Sequence, residues 1–474
     1  MAPRLTLGPC RAGVPVRVFP QCGVAAPVPS SVHGFATMHC ILTGLGSYGD
    51  VLPMAGLAAT LSRRGHRVQL VANPYFEEVA AHAGAELLPL GTIDDYRALI
   101  RHPDLWDPLR GFRLVFGYTA ECLPELYRTL AAQSVPGETV HAAHGLDLAS
   151  RCLQETRGNP LATVHYAPIS LCSVNDPPAF FNMPAMHRAP KWLRRGSLWL
   201  ADRVMIDRVV GPTLNGLRRE LGLPPVKRIF TQWALSPQRV IALFPEWFAP
   251  PPGDWPPQTR LTGFPLYDGA EDAVLPTDAA EFLDAGAPPI VFAPGSANVQ
   301  ASSFFAAAAE ACRRLGRRGM LVTKYHDQLP PTLPDGVRAF GFVPFSRLLS
   351  RAAAVVHHGG IGTSGQTLAA GVPQVITPLA YDQLDNGRRI ERLGVGRVVL
   401  GKRVNATRLV EALQPLLADP AVRGKCSEIA SRCDGAAARD AACNLLEELG
   451  QQSGSEAEAT STAARGSAAV SLPR

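Results

Sequence analysis

Short apolar runs alternate with helical patterns from residue 38 onward. The segment His39–Thr43 is apolar and precedes a glycine loop, after which Leu52, Ala55 and Leu61 recur at helical spacing. A second apolar run at 67–71 and a second helical pattern at 75–83 continue the series. Strands that alternate with helices in this way predict an α/β domain built on a doubly wound parallel sheet.

The same alternation restarts after a proline-rich stretch at 248–257, which is unsuited to regular structure. Strands are predicted at 289–293, 319–323, 337–341, 352–357 and 373–377. The pattern therefore predicts two doubly wound domains, at 38–250 and 251–450. Residues 1–37 are predicted to be a disordered leader or a mis-called start ahead of Met38. Residues 451–474, rich in Ser, Ala, Thr and Gly, are predicted to be a disordered tail.

Composition narrows the class of protein. Apolar residues make up 46% of the 474 residues, which excludes a disordered chain. The net charge of +6 is unevenly placed, because residues 186–230 hold ten Lys and Arg against three Asp and Glu. Residues 1–37 add three Arg and no acidic residue, so the remainder of the chain is net negative. A generally basic protein is excluded, and nothing indicates a nucleic-acid partner.

Ten cysteines are scattered along the chain without a C-x-x-C pair or a Cys/His ligand spacing. They predict reduced thiols in a cytoplasmic protein and no metal site. No apolar run approaches the 18 residues of a membrane-spanning helix. Residues 1–37 lack the unbroken apolar core of a secretory signal.

The first glycine loop, Gly44-Leu-Gly-Ser-Tyr-Gly49, follows a strand and precedes a helix, as a dinucleotide-binding fingerprint does. The second strand ends in Ala72-Asn-Pro74, however, without the acidic residue that would bind the ribose. This disfavours a dehydrogenase. Asp50 follows the loop at the helix start, where it is either a helix cap or a carboxylate able to take a proton from a hydroxyl.

The second glycine loop, at 355–365, runs Val-Val-His-His-Gly-Gly-Ile-Gly-Thr-Ser-Gly. A helix is predicted to begin near Thr363. Glycine amides and a helix N-terminus together suit a diphosphate, and His358 could donate to the same oxygens. A simple glycine turn with a helix cap is the alternative.

Three further segments follow predicted strands of the second domain. Gly295 and Ser296 follow the first strand, Phe342-Val-Pro344 could contact a flat base, and Asp382-Gln383 could bind sugar hydroxyls. Because the carboxyl ends of parallel strands share one edge of a sheet, these segments are expected to face one ligand.

The segment 357–383, from His-His-Gly-Gly-Ile-Gly-Thr to Asp-Gln, resembles the donor signature of family-1-type glycosyltransferases, which have the two-domain GT-B fold. Gly46-Ser-Tyr-Gly-Asp-Val-Leu-Pro53 is similar to the bacterial form of their amino-terminal loop. The resemblance covers residues 38–450. It implies two Rossmann-like domains facing across a cleft, with the acceptor in the first domain and a nucleotide sugar in the second.

The resemblance also implies roles for individual residues. Asp50 would be the catalytic base, at a position where many members carry histidine. Gly46, Ser47 and Gly49 would form the acceptor-side loop. No metal or other cofactor would be needed. The donor would be bound by Gly295, Ser296, Val343, His358, Gly360, Gly362, Thr363, Asp382 and Gln383.

Further segments, such as 215–224 and 244–248, are similar to the rhamnosyltransferases of rhamnolipid biosynthesis. This resemblance implies inverting transfer of rhamnose from dTDP-L-rhamnose to a lipid hydroxyl, such as that of a 3-hydroxyalkanoyloxy-alkanoate. Three alternatives stay open. They are a UDP- or dTDP-sugar-dependent transferase acting on a sterol, macrolide or other natural product, a sugar-nucleotide epimerase, and a non-enzymatic nucleotide-sugar binding protein.

The basic, apolar segment 191–221 would belong to the acceptor side. One interpretation is a long packed helix with a solvated arginine face. The other is that Trp192, Leu193, Trp199 and the arginines contact an anionic acyl acceptor or a membrane interface, at the cytoplasmic face of the inner membrane.

Overall fold

The computed structural model describes residues 37–179, 186–269 and 273–468. Residues 1–36 of the predicted leader lie outside this range. Two parallel β-sheets organise the chain. The first has the strand order β3-β2-β1-β4-β5-β6-β7. Its strands are β1 (His39–Thr43), β2 (Arg67–Ala72), β3 (Glu86–Pro89), β4 (Val140–His144), β5 (Leu161–His165), β6 (Arg239–Ala242) and β7 (Thr259–Leu261).

Helices cover both faces of this sheet, and its central strands β4 and β5 are buried along their whole length, including their three histidines. The helices in this part of the chain are α1 (Tyr48–Arg63), α2 (Glu77–His82), α3 (Ile93–Arg101), α4 (Arg110–Gln133), α5 (Ala149–Arg157), α6 (Lys191–Ala201), α7 (Asp207–Val209) and α8 (Gly211–Glu220).

The second sheet has the order β10-β9-β8-β11-β12-β13. Its strands are β8 (Ile290–Ala293), β9 (Gly319–Val322), β10 (Val337–Phe340), β11 (Ala354–His357), β12 (Gln374–Ile376) and β13 (Gly396–Val398). The remaining helices are α9 (Thr277–Asp284), α10 (Ser302–Leu315), α11 (Phe345–Leu348), α12 (Ile361–Ala369), α13 (Gln383–Leu393), α14 (Ala406–Ala418), α15 (Pro420–Ala430) and α16 (Gly435–Ala468). The α/β prediction of two doubly wound domains is confirmed.

The order of the strands in each sheet determines where the two glycine loops lie. In the first sheet β1 lies between β2 and β4, and in the second β8 lies between β9 and β11. The chain reverses its winding direction at β1/β4 and at β8/β11, which leaves a crevice at the carboxyl ends of those strands. The loops after these four strands therefore open toward the space between the two domains.

Both expected limits of the second domain differ from the structure. β7 pairs with β6 in parallel, so the first sheet extends to Leu261, past the expected boundary at 250. At the other end, α16 returns to pack on α1, and its Ala442 and Leu446 are buried in the core of the first domain. An amphipathic helix carries no signal for which of two domains it will cover, which is why the sequence did not reveal this return.

Two further predictions, of a disordered tail and of one long helix, also differ from the structure. The backbone of α16 continues through 451–468, where disorder was expected, because the Glu-Ala-Glu-Ala stretch is rich in good helix formers. The single helix expected from 192 to 221 is divided into α6, a π-helical turn at Asp202–Ile206, α7 and α8. Pro212 lies in the first turn of α8, where its missing N–H does no harm.

Candidate active site

One cavity of about 800 Å³ lies between the domains. From the first domain it is lined by the predicted acceptor-side residues Gly46, Ser47, Gly49 and Asp50. From the second domain it is lined by the predicted donor residues Gly295, Ser296, Val343, His358, Gly360, Gly362, Thr363, Asp382 and Gln383. The structure therefore brings all of the predicted donor residues and acceptor-side loop residues to one cavity, whereas Trp192, Leu193 and Trp199 do not line it.

Asp50 is held at the start of α1 by a capping box with Ser47. Its Oδ2 accepts the Ser47 backbone N–H at 2.7 Å and the Ser47 hydroxyl at 3.2 Å. Gly46 has φ +139°, and a Cβ there would lie 2.2 Å from Asp50 Oδ2. The loop therefore requires glycine at this position in order to hold the carboxylate. The cap and the catalytic interpretations of Asp50 are compatible, because its side chain remains 33% exposed.

His144, which sequence reasoning missed, lies against Asp50. It ends β4, and its Nε2 is 3.5 Å from Asp50 Oδ1. Its Nδ1 accepts the Leu146 N–H at 3.3 Å, so the ring carries a proton on Nε2, facing the carboxylate. Tyr166 packs on the His144 ring and donates its hydroxyl to the Asp50 carbonyl at 2.7 Å. The signal for His144 was its place at the end of a central strand.

The second glycine loop leads into α12, with Gly360 at the N-cap. The helix begins two residues before the expected Thr363, so the amides of Ile361, Gly362 and Thr363 form its first turn. Amides in a first helical turn have no intrahelical acceptor. The preceding His357 belongs to the core instead, where its Nε2 pairs with Gln374 at 2.8 Å.

His358 lies between two glycines. A Cβ at Gly360 would be 2.5 Å from its Nε2, and a Cβ at Gly295 would be 3.2 Å from its ring. Burial and, to a smaller extent, the neighbouring His357 lower the pKa of His358 to about 3 against the opposing effect of the Ala293 backbone, so the ring is neutral at physiological pH. Its Nδ1 is buried and has no hydrogen-bond partner among the described residues. A neutral imidazole with a free nitrogen can serve one ligand oxygen.

Asp382 and Gln383 start α13 at the edge of the cavity. Asp382 Oδ2 accepts from Asn386 Nδ2 at 2.7 Å. Burial raises the pKa of Asp382 to about 6, the Asn386 hydrogen bond opposes this rise, and the charge of Asp50 adds to it. Gln383 Oε1 accepts the N–H groups of Leu379 and Ala380, which leaves the amide nitrogen as its donor to a ligand. A carboxyl and an amide group thus lie side by side.

Two contacts that the sequence did not predict bridge the cleft. Tyr381, which has φ +56°, donates its hydroxyl to the Leu105 carbonyl at 2.7 Å. Lys324 Nζ lies 3.1 Å from the Tyr48 hydroxyl and contacts the rings of Tyr48 and Phe342. These pairs connect the loops of the two domains on either side of the cavity.

The first-domain end of the cavity is strongly apolar. Phe112 and Phe116 of α4 stack at 4.1 Å between centroids, and Phe230 meets Phe116 edge-on at 5.0 Å. Leu198 of α6 and Met205 of the π-helical turn close the other wall. This end of the cavity suits an apolar molecule that reaches Asp50 with one polar end.

The described part of the chain contains no cluster of three or more His, Cys, Asp or Glu side chains arranged to hold a metal ion. Nor does any helix among those residues have the length and apolarity needed to cross a membrane.

Comparison with known proteins identifies the family. Residues 320–448 match the family described as erythromycin biosynthesis protein CIII-like, C-terminal domain. Glycosyltransferase GtfC of Amycolatopsis orientalis is 30% identical over 428 residues, which cover 84% of this chain and 95% of the relative.

Solved structures agree on the fold. The glycosyltransferase of kitacinnamycin superposes with a TM-score of 0.67 at 21% identity, covering 87% of this chain and 99% of that one. Spinosyn rhamnosyltransferase SpnG complexed with thymidine diphosphate superposes with a TM-score of 0.58 at 19% identity, covering 83% of this chain and 95% of that one. The expected GT-B fold is thereby confirmed. On its sequence relatives, the chain belongs to the family-1-type glycosyltransferases.

Proposed function

We propose that this enzyme transfers a deoxysugar, rhamnose in the first instance, from its dTDP derivative to a hydroxyl group of a lipid acceptor, with inversion at the anomeric carbon. The observation that carries the proposal is that Asp50, the N-terminus of α12 and an apolar chamber line the same cavity. A base, an anion site and an apolar acceptor site are what such a transfer requires.

On the donor side, the first-turn amides of α12 and His358 Nδ1 would bind the diphosphate, with Gly295 and Ser296 beside it. The helix N-terminus favours negative charge, and these donors would stabilise the charge that develops on the leaving diphosphate. Val343 would contact the nucleobase of the donor, with Phe342 at the rim of the cavity. Asp382 and Gln383 would bind the sugar hydroxyls. A thymidine nucleotide is supported by the name of the SpnG complex.

On the acceptor side, Asp50 would take the proton of the attacking hydroxyl. The acceptor oxygen forms a bond to the anomeric carbon from the face opposite the diphosphate, while the bond from that carbon to the diphosphate oxygen breaks. The proton passes to Asp50, and the electron pair leaves with the nucleoside diphosphate. Contacts of a catalytic base are often long without substrate and tighten in the complex, so the 3.5 Å approach of His144 suits a group that orients Asp50.

The lipid acceptor is supported by the apolar chamber of Phe112, Phe116, Phe230, Leu198 and Met205, which belongs to the cavity that Asp50 also lines. An acyl chain would bury apolar surface there, while its hydroxyl would face the carboxylate. A 3-hydroxyalkanoyloxy-alkanoate has this form.

A polycyclic or peptide natural product is the second candidate acceptor. It is favoured by the name of one relative, a vancomycin aglycone glucosyltransferase of Amycolatopsis orientalis. The same chamber would accept a rigid apolar ring system.

The test is to incubate purified protein with dTDP-rhamnose, dTDP-glucose and UDP-glucose, each against hydroxyalkanoyloxy-alkanoate, sterol and macrolide acceptors, and to read products by mass spectrometry. The proposal expects rhamnosylated lipid and released dTDP. Transfer only to ring-system acceptors would favour the second candidate. A change in the donor without any acceptor would identify an epimerase instead and overturn the proposal.

A further inference from the structure

The helix α6 buries none of its own residues, although its sequence is rich in tryptophan and leucine. Trp192 is 74% exposed and Leu200 53%, and Leu193, Trp199 and Val204 are exposed beside them. Spacings of four, seven and eight residues place these side chains on one broad face of α6 and of the π-helical turn that follows it. The prediction of a packed helix is therefore wrong for α6.

Charge on the same surface has one sign. Arg188, Lys191 and Arg195 are exposed, and none of them forms an ion pair with a described residue. The two acidic residues that follow α6 in the chain already have partners. Asp202 is buried and accepts the backbone N–H groups of Phe230 and Thr231, while Asp207 pairs with Arg203 at 2.9 Å. An apolar stripe with unneutralised cations beside it is thus presented to solvent.

The attachment of α6 to the domain explains how this face stays outward. Arg194 points inward and donates to the backbone carbonyls of Ala189 at 2.7 Å and Val174 at 3.3 Å. The helix is therefore held at its start by a guanidinium group rather than by burial of its tryptophans. Its other wall, at Leu198 and Ala201, lines the apolar chamber.

We propose that α6 is a membrane-docking helix, which lies in the interface of an anionic phospholipid bilayer with Trp192, Trp199 and Leu200 among the acyl chains. Helices with Trp and Leu on one face and Lys and Arg alongside lie in such interfaces, because tryptophan favours the headgroup boundary and cations attract anionic lipids. A neutral apolar partner would not account for Arg188, Lys191 and Arg195.

The position of α6 suggests how membrane docking would help the reaction. This part of the inference rests on the proposed lipid acceptor. Because one side of α6 faces the bilayer and the other lines the acceptor chamber, an acyl chain could pass between them with little exposure to water. Docking would thereby raise the local concentration of the acceptor at the cavity.

The experiment is sedimentation of the full chain with vesicles of phosphatidylcholine alone or mixed with phosphatidylglycerol, over a series of salt concentrations. We expect binding to the anionic vesicles that weakens with salt. The double variant Trp192→Gln/Trp199→Gln should reduce partitioning roughly tenfold or more. Lys191→Gln/Arg195→Gln should reduce binding at low salt. The matched controls are Val274→Gln and Arg338→Gln, which change an exposed apolar and an exposed basic residue of the second domain and should leave binding unchanged.

Failure to sediment with either vesicle, or equal binding by the tryptophan and control variants, would overturn the docking proposal. Transfer to a detergent-dispersed lipid acceptor, measured in parallel, keeps the two proposals separate. Transfer without vesicle binding contradicts the docking alone, whereas vesicle binding without transfer to any lipid contradicts the proposed acceptor.

Discussion

His144 Nε2 lies 3.5 Å from Asp50 Oδ1, so that neighbouring strands β1 and β4 deliver a carboxylate and an imidazole to the same point of the cleft. The other contacts of the two residues determine which of them carries the proton that lies between them. Ser47 occupies Oδ2, and the Leu146 N–H occupies His144 Nδ1. Since the imidazole has its proton toward Asp50, the carboxylate is the member of the pair that can receive a proton from an acceptor.

Replacement of Asp50 by asparagine should abolish transfer without unfolding the protein. The amide oxygen of asparagine can still accept the Ser47 N–H, so the cap of α1 remains, while the basic group is lost. We expect kcat to fall by about 10²–10⁴-fold, with the donor dissociation constant changed little. Steady-state kinetics and calorimetric donor titration test this, and near-normal turnover would exclude Asp50 as the base.

His144 is expected to act as a positioning residue, through its orientation of Asp50. His144→Phe keeps the ring volume and removes the donor, so kcat should fall roughly 10- to 100-fold at unchanged donor affinity. His144→Gln, whose amide can replace the Nε2 donor, should restore part of the loss. Equal loss in both variants, or a loss matched by a fall in melting temperature, would show a purely structural role.

Donor binding should depend on His358 in a way that does not vary near neutral pH. Because burial lowers the pKa of His358 to about 3, the ring stays neutral from pH 5 to 9 and contributes a neutral hydrogen bond throughout. Loss of that bond in His358→Ala should weaken donor binding by about 1–3 kcal/mol. Calorimetry at several pH values measures both quantities. A wild-type advantage that disappears as pH rises through 6 to 7 would mean that the protonated ring binds the donor.

The sequence predicted which residues of the second domain meet at the cavity, because the signals for their placement are local. A glycine turn that leads into a helix specifies its own backbone, and the strand pattern places such turns at one edge, so Gly360 and Asp382 could be assigned before their distances were known. His144 could not be assigned in this way, because the sequence does not distinguish it from His141 of the same strand and His165 of the neighbouring strand. His141 and His165 are buried and bonded to Ser134 and Ser170. Only its closeness to Asp50 distinguishes His144 from these two histidines.

Long-range packing was likewise beyond the sequence. Amphipathic patterns in α6 and α16 predict helices with one apolar face, but not what that face meets. For α16 it meets the first domain, and for α6 it meets solvent. Each outcome depends on surfaces distant in the chain.

Affinity for the donor sugar should rise as pH increases through about 6. Burial raises the pKa of Asp382 to about 6, so its carboxyl group is protonated below that pH and ionised above it. An ionised carboxylate accepts hydrogen bonds from sugar hydroxyls more strongly than a neutral acid does. Asp382→Asn should remove this pH dependence and lower affinity at pH 8. A wild-type donor affinity that is constant from pH 5 to 8 would contradict the role of Asp382 in binding the sugar.

The return of α16 to the first domain should be important for stability. Glu447 is almost fully buried, and its two carboxylate oxygens contact Arg64 Nη1 and His66 Nε2, each at 2.9 Å. Glu447→Gln keeps the shape of the side chain but leaves the Arg64 charge without one of its two carboxylate partners, the other being the exposed Asp440. We expect the free energy of unfolding to fall by about 2–3 kcal/mol.

The neighbouring Glu448 provides the matched control for that change. Its carboxylate is 54% exposed and lies 3.5 Å from Arg239, so Glu448→Gln should alter stability by only about 0–1 kcal/mol. Urea unfolding followed by circular dichroism compares the two variants under the same conditions. Equal effects would mean that the buried contacts of Glu447 do not hold α16 to the first domain. A large effect of Glu447→Gln alone, with donor affinity unchanged, would show that α16 stabilises the first domain without taking part in donor binding.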